Sequence, residues 1–178
     1  KRQVLSNKLV TDNPVNRCYY CKQGVFGTIL EAAKNDGMTV ILEGTNASDD
    51  ADDRPGMKAL QEMKVLSPLR MCGYVKSEIR KQSKEAGLFV YNKPSYACLA
   101  TRIPTGTEID EEKIKQVETA ETFLFDLGFS DFRVRWMDNK AKIQMPESQL
   151  QALMEKREVV LEELSKIFDE VLLDLRTR

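Results

Sequence analysis

From residue 22 to residue 91 the apolar positions change rhythm repeatedly, from a helical spacing to short unbroken runs, as expected for a parallel α/β layer. Val25, Phe26, Ile29, Leu30 and Ala33 fall on one helical face, with Gly37 as the stop. Residues 40–42 read as a short buried strand that runs into the polar loop Glu43-Gly44-Thr45-Asn46. Pro55 suits the first turn of a helix carrying Met57, Leu60 and Met63, and Val65 and Leu66 then resume a strand. A further helix is expected at about 75 to 86, capped by Gly87, with residues 88–90 as the next strand.

A second rhythm follows the loop 92–106. Asp110 is placed to cap a helix bearing Ile114, Val117, Ala120, Phe123, Leu124 and Leu127, which Gly128 would end. Phe132, Val134 and Trp136 alternate with Arg133 and Arg135, and a turn at Asp138-Asn139 leads to Ala141, Ile143 and Met145 in the same alternation, the pattern of a β-hairpin. One long amphipathic helix at about 147 to 166 and a last strand at about 171 to 175 complete an α-β-β-α-β unit. The fold class expected is therefore α/β, with a partial parallel sheet in residues 1–104 and a small α+β domain in 105–178. The first half lacks an opening strand and glycine-rich turn, beginning instead with a polar stretch and a helix.

Charge narrows the functions. Lys and Arg number 27 against 28 Asp and Glu, so the chain has none of the basic excess that phosphate-backbone binding draws on, which weighs against a nucleic-acid partner. No apolar run approaches the length of a membrane span and no cleavable signal is evident, so a cytoplasmic protein with no membrane partner is expected. Histidine is absent, which excludes Ser-His-Asp and Cys-His nucleophilic machinery and mixed Cys/His zinc sites.

The chemistry then falls to four cysteines. Cys18-Tyr19-Tyr20-Cys21 places two thiols within reach of one metal ion or cluster, and Cys98 lies in a second loop, Pro94-Ser95-Tyr96-Ala97-Cys98. Three thiolates suit a four-iron cluster with one open iron; adding Cys72 would close a four-thiolate zinc site; redox-active or simply buried thiols are the remaining readings.

Polar loops supply candidate anion sites. Gly44-Thr45-Asn46-Ala47-Ser48-Asp49 follows a strand, where open α/β sheets bind ligands through exposed amides, although the same residues are ordinary turn formers. Asp49, Asp50, Asp52 and Asp53 offer carboxylates for magnesium or form a solvated loop, and Arg54 precedes a helix start suited to an anion. Arg133 and Arg135 share one face of a strand, to clamp one phosphate or to face solvent. Glu121 reads as a surface or cap-region carboxylate unless it faces those arginines.

Taken together, Asn16-Arg17-Cys18-Tyr19-Tyr20-Cys21-Lys22, Gly44-Thr45-Asn46-Ala47-Ser48-Asp49, Arg54-Pro55-Gly56, Ser67-Pro68-Leu69 and Lys76…Ile79-Arg80 resemble the LarE type of the ATP-dependent PP-loop family. Lys93-Pro94-Ser95-Tyr96-Ala97-Cys98-Leu99-Ala100-Thr101-Arg102-Ile103-Pro104 and Arg133-Val134-Arg135 continue the resemblance in order and spacing. It implies an adenine-nucleotide alpha hydrolase-like sheet and an enzyme that uses ATP with Mg2+ to adenylylate a carboxylate of a pyridinium dicarboxylate mononucleotide, then replaces the adenylate with sulfur for a nickel-pincer cofactor.

The resemblance further implies that Gly44, Thr45, Asn46, Asp49 and Arg54 approach the nucleotide, that Arg133 and Arg135 hold substrate phosphate, and that Glu121 lies in the active site. It implies a [4Fe-4S] cluster on Cys18, Cys21 and Cys98, because Cys18 and Cys21 are both present; other members sacrifice the cysteine matching Cys98, leaving dehydroalanine. The small domain would bind substrate and support a homo-oligomer. The family's Ser-Gly-Gly-x-Asp-Ser loop does not occur in these residues, so the pyrophosphate-binding part is expected outside this chain, and the family's serine after Ala100 is Thr101. Rival expectations are a PP-loop tRNA thiolation enzyme and a non-catalytic zinc-stabilised module.

Overall fold

The computed structural model describes residues 2–49 and 55–176. It contains two compact units, Lys1–Lys93 and Pro94–Arg178.

The first unit is mostly helical. Short helices α1 (Arg2–Leu5) and α2 (Lys8–Thr11) precede α3 (Arg17–Asn35), and the Asn7 side chain caps α2 by accepting from the Leu9 amide at 3.0 Å. The α3 helix begins well before its apolar stripe, so Cys18 and Cys21 occupy its first turns. It ends where Gly37 turns left-handed (φ 74°) and the Met38 amide reaches back to the Ala33 carbonyl at 2.7 Å. Helix α4 (Pro55–Glu62) packs on α3, with Gly56 beside Lys22 and the Cys18 carbonyl, and its Gly56, Ala59 and Leu60 are buried. Helices α5 (Pro68–Met71) and α6 (Lys76–Glu85) follow, the second close to the bounds its periodicity predicts.

The strand expectations fare differently. Residues 40–42 and 65–66 meet in a single parallel bridge, Leu42 with Leu66, fixed by the Leu66 amide on the Ile41 carbonyl at 3.0 Å and the Glu43 amide on the Leu66 carbonyl at 2.9 Å. Residues 88–90, expected as a strand, form turns: the Leu88 amide closes onto the Ser83 carbonyl, and the Leu88 and Val90 carbonyls accept from Tyr91 and Lys93. An isolated apolar triplet has no ladder to join, so its backbone bonds locally.

The second unit carries the main core. Asp110 caps α7 (Glu111–Asp126) by accepting from the Lys113 amide at 2.7 Å, and Gly128 (φ 93°) ends it. Strands β1 (Arg133–Met137) and β2 (Lys140–Gln144) pair antiparallel across Asp138-Asn139, whose positive φ values of 49° and 58° fit a tight hairpin turn. A crossover returns the chain to β3 (Glu170–Leu173), parallel to β2, giving sheet order β1-β2-β3.

That crossover is a 3-10 turn (Glu147–Gln149), α8 (Leu150–Glu155) and α9 (Arg157–Leu164), not the one long helix expected. Lys156 leaves helical geometry (φ −99°, ψ 12°) and its ammonium donates to the Leu127 carbonyl at 2.7 Å. Leu124, Phe132, Val134, Ile143, Leu153, Val160, Leu164 and Phe168 form the core between α7, the sheet and the crossover. The second unit begins at Pro94, ahead of the boundary expected after residue 104, because the loop after Lys93 is held within it by the polar network below. Among the described residues no helix is long and apolar enough to cross a membrane.

Candidate functional site

The strongest concentration of polar chemistry lies in the second unit, around the loop that carries Cys98. Chain order brings this loop into a 3-10 turn (Leu99–Arg102), which α7 and β1 flank. Arg102 and Glu121 face each other with 1% exposure each, so the surface or cap-region reading of Glu121 is corrected: it is a core carboxylate. The signal was present in the sequence, since Glu121 sits four residues after Val117 and three before Leu124, on the apolar stripe of α7.

Burying a carboxylate is tolerable only when its lone pairs are filled by donors. Glu121 Oε1 accepts from Arg102 Nε at 2.8 Å and from the Val134 amide at 2.9 Å. Its Oε2 accepts from Arg102 Nη2 at 3.0 Å and from the Tyr96 hydroxyl at 2.6 Å. Arg102 is thus bidentate on Glu121, and its remaining terminal nitrogen, Nη1, donates to the Ala97 carbonyl at 3.2 Å, the Cys98 carbonyl at 3.4 Å and Thr101 Oγ1 at 3.0 Å. The Tyr96 side chain is about half exposed, and its phenol is pushed up to about 12, first by partial desolvation of the hydroxyl and then by its bond to the Glu121 carboxylate.

Arg133 and Arg135 do lie two apart on β1, and both reach the same loop. Arg133, 6% exposed, donates to the carbonyls of Phe132 and Ser95 and has its guanidinium carbon 5.5 Å from the Tyr96 ring centre. Arg135 donates to Gln144 Oε1 and to the Thr101 carbonyl at 3.1 Å. Three guanidiniums therefore converge on carbonyls of Ser95, Ala97, Cys98 and Thr101, while the Cys98 thiol itself is exposed. The motif reading singled out Arg133 and Arg135 but assigned no role to Arg102 or Tyr96, the residues that tie the carboxylate to the loop.

In the first unit, the loop 44–49 is not the open row of amides expected for phosphate. The Asn46 amide donates to Asp49 Oδ2 and the Ser48 amide to Asn46 Oδ1, each at 3.0 Å. The Ala47 amide donates to the Tyr74 carbonyl at 2.8 Å, and the Asp49 amide to the Asn46 carbonyl at 3.1 Å. Thr45 is buried and donates to Glu43 Oε2 at 2.6 Å. Gly44 precedes this turn on the half-exposed stretch after Leu42. Arg54, with Asp50, Asp52 and Asp53, lies outside the described residues.

The cysteines are all free thiols. Cys18 is exposed and Cys21 half-buried, one helical turn apart on α3, and Arg17 Nη2 lies 3.9 Å from Cys18 Sγ. Cys21 also lines an open groove of about 400 Å³ with Val4, Val10, Tyr20, Val25 and Ile29. Cys72 is exposed at the end of α5. Among the described residues no three Cys, Asp or Glu side chains are gathered closely enough to hold a metal ion, so within the first unit Cys18, Cys21 and Cys72 do not assemble the thiolates of a closed zinc site. The donors the cysteines offer are four free thiols without imidazole, three exposed (Cys18, Cys72 and Cys98) and Cys21 half-buried, a set softer than hard cations prefer.

No protein-family model matches the chain. It is 38% identical over 164 residues to an uncharacterized protein of Synechocystis, covering 92% of this chain and 60% of that protein. It is 33% identical over 146 residues to the pyridinium-3,5-bisthiocarboxylic acid mononucleotide synthase of Lactiplantibacillus plantarum, covering 82% of this chain and 53% of the synthase. An uncharacterized protein of Methanocaldococcus jannaschii is 30% identical over 158 residues, 89% of this chain and 62% of its own length. The chain thus spans a little over half the length of these relatives, and the similarity to the synthase supports the LarE-type resemblance.

Proposed function

We propose that this chain is part of a LarE-type enzyme that inserts sulfur into a pyridinium dicarboxylate mononucleotide, making the thiocarboxylate of a nickel-pincer cofactor precursor. The observation that carries the reading is the 33% identity to the pyridinium-3,5-bisthiocarboxylic acid mononucleotide synthase over 82% of the chain. In this reading the substrate carboxylate attacks the α-phosphorus of ATP, releasing pyrophosphate and leaving an acyl adenylate. A sulfur nucleophile then adds to the acyl carbon and AMP departs.

The residues divide the work between the two units. In the first, Gly44, Thr45, Asn46 and Asp49 form a wall beside ATP and Mg2+; the amides of 46–49 serve internal acceptors, so the loop contributes shape and side chains more than an amide cradle. Arg54, outside the described residues, adds a cation for the nucleotide by the resemblance alone. In the second, Arg133 and Arg135, two apart on β1, hold the substrate phosphate, Cys98 delivers or ligates the sulfur, and Glu121 organises the site around it. Cys18, Cys21 and Cys98 would hold a [4Fe-4S] cluster, which when bound supplies an open iron for an extra sulfide. The site works within a cytoplasmic homo-oligomer.

The experiment is anaerobic purification of the full-length gene product, with visible spectroscopy, iron, sulfide and zinc analysis, and pyrophosphate release on adding ATP and the mononucleotide. Brown protein with about four irons per chain and substrate-dependent pyrophosphate release is the expected result. Iron-free protein that still forms thiocarboxylate once per chain, with a mass loss at Cys98, moves the sulfur source to Cys98 itself. Stoichiometric zinc without pyrophosphate release overturns the reading.

A further inference from the structure

The buried ion pair of the second unit is closed off from solvent, yet its free end points at backbone. Arg102 spends Nε and Nη2 on Glu121 and turns Nη1 to the Ala97 and Cys98 carbonyls and Thr101 Oγ1. The Cys98 carbonyl accepts in addition from the Thr101 amide at 2.9 Å and Thr101 Oγ1 at 2.7 Å, so the main chain of the cysteine is gripped while its thiol stays exposed. A guanidinium is planar and has a fixed fork of donors, so once Glu121 fixes two of them the direction of the third nitrogen is determined. The Val134 amide and Tyr96 hydroxyl, in turn, fix the Glu121 carboxylate.

We infer that Arg102 is the positioning residue for Cys98, and that Glu121 acts through Arg102 instead of on the reacting atoms. The pair is a lever: α7 and β1 hold the carboxylate, the carboxylate orients the guanidinium, and the guanidinium sets the main chain from which the thiol projects. This deepens the proposed function, since it assigns the support of its sulfur site, but the lever stands as a structural device whether or not that chemistry is the right one.

The test uses the full-length protein in three forms: wild type, Arg102→Lys, and the double variant Arg102→Met with Glu121→Gln. The double variant removes both buried charges together and leaves an amide oxygen for the Val134 amide, avoiding the stranded carboxylate that would unfold a single Arg102→Met protein. Peptide-resolved hydrogen exchange reads the outcome without any assay of activity. In the double variant the Thr101 and Ile103 amides are expected to exchange about tenfold faster, while α7 and the β1–β2 hairpin keep their protection. Arg102→Lys, with a cation but no fork, should restore part of that protection.

Sulfur transfer adds the second readout: kcat about tenfold lower at an unchanged KM for the mononucleotide, as for a misplaced reacting group. Unchanged loop exchange in the double variant, or loss of protection in α7 and the hairpin to the same degree as in the loop, overturns the lever. Loop-specific exchange with no sulfur transfer even in wild type leaves the lever standing and overturns the proposed function.

Discussion

The Tyr96 phenol illustrates how one residue reports on the network behind it. Partial desolvation and the Glu121 carboxylate raise it to about 12, against the guanidiniums of Arg102 and Arg133, which pull it down. Because its folded value lies above the ordinary value of about 10, the folded protein binds more protons between those two points. Its contribution is therefore complete below about pH 10 and is lost as the pH rises toward about 12. Thermal unfolding of the wild type should show a falling melting temperature across that interval, and Tyr96→Phe should flatten the fall; an equal slope in both proteins would mean that other groups control alkaline stability. At this scale the sequence was informative where spacing alone decides, as for Arg133 and Arg135 sharing a face. Arg102 and Tyr96 escaped because their importance arises from what a loop meets after folding, which no local period records.

Helix ends were among the most legible elements. Asp110 and Gly128 bound α7 as capping chemistry requires, and the alternation of Phe132, Val134 and Trp136 gave the hairpin with its turn at Asp138-Asn139. Gly128 sits at φ 93° with open space around its missing side chain, so Gly128→Ala carries a conformational cost and no clash. A loss of about 1 to 2 kcal/mol in urea-derived stability is expected, with little change in the denaturant slope. The elements that were misread share a cause. Residues 88–90 are apolar but lack a strand to pair with, and the crossover splits at Lys156 although its apolar positions continue on both sides. Hydrophobic period reveals which side of a segment faces inward, and the bonding partner or a local break must come from tertiary structure.

For the molecule as a whole, the two units differ in how far their sequences account for them. The second buries a continuous core, whereas in the first Val40, Leu42 and Phe89 remain exposed at 57% to 90%, and among the described residues the parallel sheet expected there is reduced to one bridge. The second unit also has a pH dependence of its own. Asp174, at the end of β3, is held well below the usual carboxylate range by the Lys142 ammonium, then by Gln144 and the Arg176 amide. A lowered folded value means the stabilisation is present above about pH 4 and is lost as the pH falls through the lower folded value. Urea midpoints of wild type and Asp174→Asn should therefore differ at neutral pH and converge in acid; a constant gap would refute the role of that ionisation.

Lys140 and Lys142 on β2 meet Glu170 and Asp174 at 2.7 Å and 3.0 Å only because β3 arrives last, after the whole crossover. Without β3, one side of β2 would present unpaired N–H and C=O groups, the kind of edge on which a foreign strand adds. Two lysines on that strand repel such an intruder, and the acids that β3 brings with it make the rightful strand welcome. Lys140 and Lys142 thus both put charge on that edge and pair with the acids that β3 brings to it.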